Sequence, residues 1–351
     1  MGVIFYNTCG EGLGHSARAA SLIEYLPQHD FYVFTYSDGF AFMNSLNLPN
    51  LKQVFEIEGV KFAEKKSNVS TFGTIKNAAK FMCGGLQRNL KFMQSKVEEL
   101  KPDLFLVDWE PTAPRIAAKN GISCISIDSQ HKFRFSKLDD FPIGLRIYSS
   151  FVSLFSRLMI PNAEHYVLST FQSDLIEKQE KLTLSQCFIR KEIVDFPRGQ
   201  DDCLLVYIRH EEIARKVLQC IIDSKTQCKK IVCYGACLED EFPSVEFKNR
   251  SFSGFSHDLA RCKAVFTTAG IQLIGEARYF GKPSFVVPLP GQKEQSVNAR
   301  YVELLKLGMS STFKTLSPEK VIDFMNVYTN GIPFCENGVF QAVNVINNYL
   351  E

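Results

Sequence analysis

The sequence predicts an α/β protein built from two parallel-sheet domains. Three observations lead there: the chain is long enough for two cores, short apolar runs alternate with helix-period segments, and that alternation halts and restarts near residue 203. At 351 residues the chain exceeds what one hydrophobic core ordinarily spans. Its 45% hydrophobic and 22% charged content is that of an ordinary globular protein.

In the first half the strand-like runs are VIFYNT (3–8), FYVFTY (31–36), LKQVFEI (51–57), LFLVD (104–108), CISID (124–128) and YVLSTF (166–171). Helix periodicity falls between them over 15–26, 73–100, 112–119 and 145–159. In the second half the runs are CLLVYI (203–208), KIVCYG (230–235), VEFKN (245–249), AVFTT (264–268) and PSFVVPL (283–289), with helices over 211–223, 256–262, 271–280 and 294–306. Runs that are apolar throughout, joined by helices, predict parallel sheets covered on both faces. The expected organisation is a first Rossmann-like domain over 1–171, a polar linker over 172–202, a second Rossmann-like domain over 203–334 and a closing helix over 335–351. Two such domains suggest a cleft, where strand C-terminal ends meet a ligand.

A net charge of +2 argues against nucleic acid as the dominant partner. The 11 cysteines are odd in number and form no C-x-x-C pair, which argues against a disulfide framework and a zinc site. Reduced thiols and the lack of an N-terminal apolar signal segment lead to the expectation of a cytoplasmic location. No apolar stretch reaches the roughly 18 residues of a transmembrane helix.

Chemistry first appears at GEGLGHSAR (10–18). Glycines after a strand, Gly12 and Gly14 among them, let backbone turn tightly and approach a ligand. A helix starting near His15 aims its positive end at the same place. A histidine there can take a proton from an incoming hydroxyl. Two other readings compete: a dinucleotide fingerprint, for which the spacing is G-x-G-x-G rather than G-x-G-x-x-G, and a plain helix cap. Asp108 ends the strand LFLVD, on the edge where all C-terminal strand ends gather. A carboxylate behind an imidazole fixes its tautomer and stabilises its protonated form; the alternative is that Asp108 caps the helix after Pro111. His131 lies on the same edge, as a candidate acceptor-binding residue or base.

The second half is more specific. For a nucleotide diphosphate sugar, each part of 252–298 has a task. Thr268, Ala269, Gly270 and Ile271 carry a strand into a helix, where backbone amides hold a pyrophosphate without a metal. Glu276 can accept hydrogen bonds from both ribose hydroxyls. The loop PGQKEQ brings Gln292, Glu294 and Gln295 towards the sugar. Phe255 and the Ser256 backbone would meet the base. Arg209, in YIRHEE, suits phosphate oxygens.

This order of strand, TTAG, helix, glutamate, GKP, strand and PGQxEQxxN resembles the donor-binding half of GT-B glycosyltransferases, in the group of MurG and the UDP-glucuronosyl and UDP-glucosyl transferases, and is similar to an MJ1255-like set. With the His-bearing opening, the resemblance spans nearly the whole chain. It implies the GT-B fold and inverting transfer from a UDP-sugar donor to an acceptor hydroxyl on a glycan, lipid or small molecule. It further implies that Glu276 holds the ribose, Glu294 and Gln295 read the sugar, and the GFSHDLA backbone reads uracil. His15 would be the base, Asp108 its support, and 335–350 a helix crossing back onto the first domain. The first loop of the second domain departs from the pattern, being YIRHEE instead of glycine-rich. No D-x-D motif occurs, so no cofactor or metal is expected. A UDP-sugar 2-epimerase of the same fold and a non-catalytic nucleotide-sugar-binding protein are the alternatives.

One helix stands apart. In IGLRIYSSFVSLFSRLMI (143–160), Tyr148, Phe151, Val152, Phe155, Leu158 and Met159 form an apolar stripe flanked by Arg146 and Arg157. It reads as a core-packing helix or as a peripheral membrane contact at the inner face. The lysine-rich segment 60–101 reads as a solvated face or as a partner to anionic headgroups.

Overall fold

A computed structural model describes residues 1–61, 64–65, 68–69, 77–78, 80–136, 138, 141–199, 201–249, 252–328 and 330–351. Part of the lysine-rich segment and the predicted helix start at 73–76 lie outside the described residues. The chain forms two compact units, Met1–Lys191 with Asn337–Glu351, and Glu192–Glu336.

The first unit holds β1 (Val3–Thr8), β2 (Asp30–Thr35), β3 (Leu51–Glu56), β6 (Leu104–Asp108), β7 (Cys124–Asp128), β8 (His165–Ser169) and β9 (Leu182–Ser185), besides a small antiparallel pair, β4 (Glu64–Lys65) and β5 (Asn68–Val69). The seven strands pair in parallel in the order β3-β2-β1-β6-β7-β8-β9. Strand order reverses between β1 and β6, which makes their C-terminal ends the switch point where such sheets bind ligands. Strands β6 and β7 are buried along their whole length, which fits the apolar LFLV of β6; β7 buries Ser126 and Asp128 among its apolar residues. Phe5 packs on Phe34 and Phe105 with ring centroids 4.9 and 5.4 Å apart. Each such burial contributes roughly 1.5–3 kcal/mol.

The stretch read as a linker contains β9, an edge strand of the first sheet, and the unit boundary falls at 191/192. Four residues, LTLS, with only the outer two buried, are too short to announce a strand. The C-terminal helix Val339–Leu350 packs in the first unit: Val339, Ala342 and Ile346 join the core formed by Ile4, Leu22 and Phe31. The side chain of Asn337 pins its approach, accepting from Ile189 N (2.9 Å) and donating to Ile189 O (2.8 Å).

The second unit repeats the design. Strands β10 (Cys203–Ile208), β11 (Lys230–Gly235), β12 (Val245–Lys248), β13 (Ala264–Thr267), β14 (Ser284–Val286) and β15 (Gly308–Ser310) pair in parallel in the order β12-β11-β10-β13-β14-β15. Here the switch point lies between β10 and β13. The three-residue β15 and the helix Pro318–Val327 complete the core, Phe324 packing on Phe266 and Phe285. All eleven cysteines are free thiols. Among the described residues no helix is long and apolar enough to cross a membrane.

The helix Ile143–Met159 turns an unexpected face outward. Ser149 and Ser156 are buried, while Ile143, Ile147, Phe151, Leu154 and Leu158 are exposed. The predicted stripe is therefore corrected: Met159 is buried and Val152 and Phe155 are half-buried, so only Phe151 and Leu158 belong to the outer face.

Candidate active site

The loop after β1 leads directly into the helix Gly14–Tyr25, whose N-cap is Leu13. His15 thus sits in the first helical turn and is not the cap. The tightest point of the loop is Gly10, where a Cβ would run into the Tyr36 carbonyl. Gly12, at φ 72°, and Gly14 meet nothing within 4 Å, so backbone there is open to approach.

Register places Thr8 of β1 beside Asp108 of β6, and Cys9 N donates to Asp108 O at 2.9 Å. The side chains follow from that pairing. His15 Nδ1 lies 2.8 Å from Asp108 Oδ1. Arg18 brackets the same carboxylate, Nε donating to Oδ2 at 2.8 Å and Nη2 to Oδ1 at 3.1 Å. Asp108 is fully buried and the Arg18 side chain 4% exposed, whereas the His15 side chain retains 14% exposure. Burial alone would lower the Arg18 pKa; the charge and hydrogen bonds of Asp108, together with Tyr6 and Asp128, outweigh it and the net shift is upward. A carboxylate cannot donate, so a bare Nδ1 would set two acceptors face to face. Nδ1 therefore carries the proton and Nε2 presents a lone pair.

The capping alternative for Asp108 falls away. The first amides of the helix Thr112–Asn120 go to Glu110 Oε2, from Thr112 N at 2.9 Å and Ala113 N at 3.2 Å. Between the two acids, Trp109 adopts φ 56°, a left-handed conformation costly for a bulky residue. Arg18 was not singled out from the sequence, although H-x-x-R spacing puts two side chains on one helix face.

His131 forms a second acid–imidazole pair. Its Nδ1 lies 2.6 Å from Asp128 Oδ2, and its backbone N–H donates to Oδ1 at 2.9 Å. Burial pushes the Asp128 carboxyl up, but His131 and Ser126 together hold it well below the usual carboxylate range. The ring is only 1% exposed, enclosed by Trp109, Phe135 and Tyr166. That enclosure corrects the acceptor-binding reading: His131 supports the strand edge from within. Among the described residues, this unit also holds a cavity of about 520 Å³ lined by Tyr36, Glu58, Arg88, Asn89 and Phe92. Tyr36 ties it to the opening loop through a 3.2 Å contact of its hydroxyl with Cys9 Sγ.

In the second unit, β13 passes through Thr268 and Ala269 into the helix Ile271–Tyr279, capped by Gly270. Ala269 is buried at φ 64°, and Asn298 Nδ2 holds its carbonyl at 2.9 Å. That strained turn aims a helix N-terminus at the switch point, a ready anion site. Tyr207 pairs with Thr267, so Arg209, exposed just past β10, lies on the same edge. Glu276 is half-buried two turns into the helix and accepts from Gln272 at 3.0 Å.

Gln292 caps the helix Lys293–Leu304, and Glu294 stands in its first turn. Gln295 accepts from Leu289 N at 2.8 Å, so its carbonyl oxygen shapes the loop. The Phe255 ring packs tilted on Tyr207 and edge-on against Tyr234, with centroids 5.1 and 5.2 Å away. Ser256 needs correction. The helix begins at Phe252, four residues before the predicted start, so the Ser256 backbone is inside a helix and the residue is buried. Reading of a base by that backbone is closed, and the Phe255 ring is the group that remains.

Replacing Ala269 with glycine is expected to stabilise the second unit by about 1 kcal/mol, because glycine adopts positive φ without a Cβ clash. Urea unfolding measures it; a destabilised variant would mean the turn is not strained as drawn.

A model of the family described as glycosyl transferase family 1 matches residues 2–328. The chain belongs to that family. Among solved structures, this glycosyltransferase is similar to the glycotransferase of kitacinnamycin (15% identity, 99% of both chains, TM-score 0.69). It is similar also to CalG4, the calicheamicin glycosyltransferase (14% identity, 100% of this chain and 98% of that one, TM-score 0.69). A third is a UDP-glucosyltransferase from Polygonum tinctorium capable of glucosylating indoxyl (15% identity, 99% and 93%, TM-score 0.63). At such identities the likeness concerns the fold, and the fold is GT-B. No curated protein matches the chain.

Proposed function

We propose that this glycosyltransferase transfers a sugar from a UDP-sugar to an acceptor hydroxyl, on a glycan, lipid or small molecule, by a single inverting displacement that needs no metal. One observation carries the reading: His15 Nδ1 lies 2.8 Å from the buried Asp108 carboxylate, a pairing that favours the tautomer with a lone pair on Nε2. As the acceptor oxygen attacks the anomeric carbon, Nε2 takes its proton and Asp108 steadies the imidazolium. The bond from that carbon to the donor phosphate breaks in the same step, and UDP leaves. The acceptor belongs to the first unit, which holds the cavity beside Tyr36.

The donor belongs to the second unit. The helix N-terminus at Gly270–Ile271 and the Arg209 guanidinium balance the charge that develops on the diphosphate. Glu276 accepts from the ribose hydroxyls, Gln292, Glu294 and Gln295 meet the sugar, and Phe255 stacks on the base. Eleven free thiols accord with a cytoplasmic setting.

The test is a thermal-shift screen over nucleotide sugars, followed by NMR of the product's anomeric centre. A donor at 100 times its Kd is expected to stabilise the protein by about 2.7 kcal/mol. UDP-sugars should give the shift, and the product should be inverted, with turnover unchanged by EDTA. A retained configuration or an EDTA-sensitive rate would overturn the mechanism. Isomerisation of the UDP-sugar without acceptor would move the chain to the 2-epimerases.

A further inference from the structure

The helix Ile143–Met159 presents apolar side chains to solvent and buries Ser149, Ser156 and Met159. Ile143 is 75% exposed, Ile147 65%, and Phe151, Leu154 and Leu158 each 61%. Their spacing of four, four, three and four residues sets them in one stripe along a helix about 25 Å long. Ser149 and Ser156 point the opposite way and are buried. An apolar row of this length on one face marks an interaction surface rather than scattered surface residues.

Charge says what covers it. The helix carries no Asp or Glu and two arginines, both exposed. Arg146 and Arg157 are eleven residues apart, close to three turns, so they stand in one column about 90° around the axis from the stripe. A continuous apolar stripe with cations along its flank is the pattern of a helix lying in a bilayer interface, with apolar side chains among acyl chains and cations at anionic headgroups. A protein partner binding the row would need no such column.

We propose that this helix docks the protein on an anionic lipid bilayer. The docking stands apart from the reaction. It touches the reaction at one point: Phe155 on the same helix packs on Trp109, ring centroids 6.1 Å apart, and Trp109 follows Asp108. A docked helix therefore holds the Asp108 strand end near the bilayer, and, resting on the proposed transfer, this favours a membrane-borne acceptor.

The experiment is flotation of the full chain with phosphatidylcholine vesicles, with and without phosphatidylglycerol. Wild type should float with the anionic vesicles. Phe151→Glu combined with Leu154→Glu should lower the bound fraction at least about ten-fold. Arg146→Gln combined with Arg157→Gln should abolish the preference for phosphatidylglycerol while leaving weak apolar binding, and high salt should do the same to wild type. All these side chains are exposed, and melting curves recorded beside the flotation separate a folding defect from a binding one; the arginine pair tests the idea even if the glutamates disturb folding. Failure of wild type to float, or equal flotation of every variant, would overturn the proposal. So would light scattering that showed a dimer lost in Phe151→Glu, which would assign the row to a second copy. None of these readouts depends on transfer activity.

Discussion

Turnover of His15→Ala falls by about 10²–10⁴, the usual contribution of a positioned general base. That corresponds to roughly 3–5.5 kcal/mol of transition-state stabilisation. The argument rests on the locked tautomer. With Nδ1–H committed to Asp108 at 2.8 Å, Nε2 is the ring atom with a lone pair, and the His15 side chain keeps partial exposure. Removing the ring removes the proton acceptor without removing the partner of Asp108, because Arg18 still reaches both carboxylate oxygens. Stability should therefore change by less than about 1 kcal/mol, a lost hydrogen bond to a part-exposed group. The UDP-induced thermal shift should stay at the wild-type value, since the groups assigned to the donor lie in the other unit. Measured at saturating donor and acceptor, the loss should appear in kcat. A variant that kept full turnover would remove His15 from the chemistry.

How far the sequence led is best judged at individual places. Strands β1, β6 and β10 are legible because parallel strands buried on both faces carry runs of four or more apolar residues. Strand β9 is not, since its four residues form a half-buried edge. The closeness of His15 and Asp108 is legible because one follows and the other ends a strand, and the C-terminal ends of parallel strands share one edge. The sequence could not show that Arg18 would take both oxygens of the same carboxylate, since that depends on helix orientation. Nor could it show that aromatic rings would close over His131. The error at Ser256 arose from a helix boundary, the least defined feature of a periodic pattern. The error in the helix Ile143–Met159 has another origin. The sequence left a core-packing face and a membrane face open for it and mixed the two in one stripe, whereas the structure buries Ser149, Ser156 and Met159 and leaves Phe151 and Leu158 outside.

Asp108→Ala should destabilise the first unit by about 3–5 kcal/mol, the cost of leaving a buried charge without its partner. Arg18 is the charge at issue. Its guanidinium is almost wholly enclosed, it remains protonated, and Asp108 is the carboxylate bonded to it. Asp108→Asn is milder to the packing but presents an N–H₂ where His15 and Arg18 both donate, so it should lose both activity and stability. The decisive comparison adds Arg18→Met. With both charges gone, Arg18→Met/Asp108→Asn should recover to within about 1–2 kcal/mol of wild type, because the desolvation of two ions is removed along with their attraction. Transfer activity should not recover, since the imidazole still lacks the carboxylate that fixes its tautomer. Stability returning while catalysis stays lost separates the two duties of Asp108, as counter-ion and as support for the base. Urea unfolding with fluorescence from the single Trp109, which adjoins the pair, reads the first, and steady-state transfer reads the second. If Asp108→Ala unfolded at the wild-type midpoint, the buried pair would not exist in solution, and the tautomer argument for His15 would fall with it.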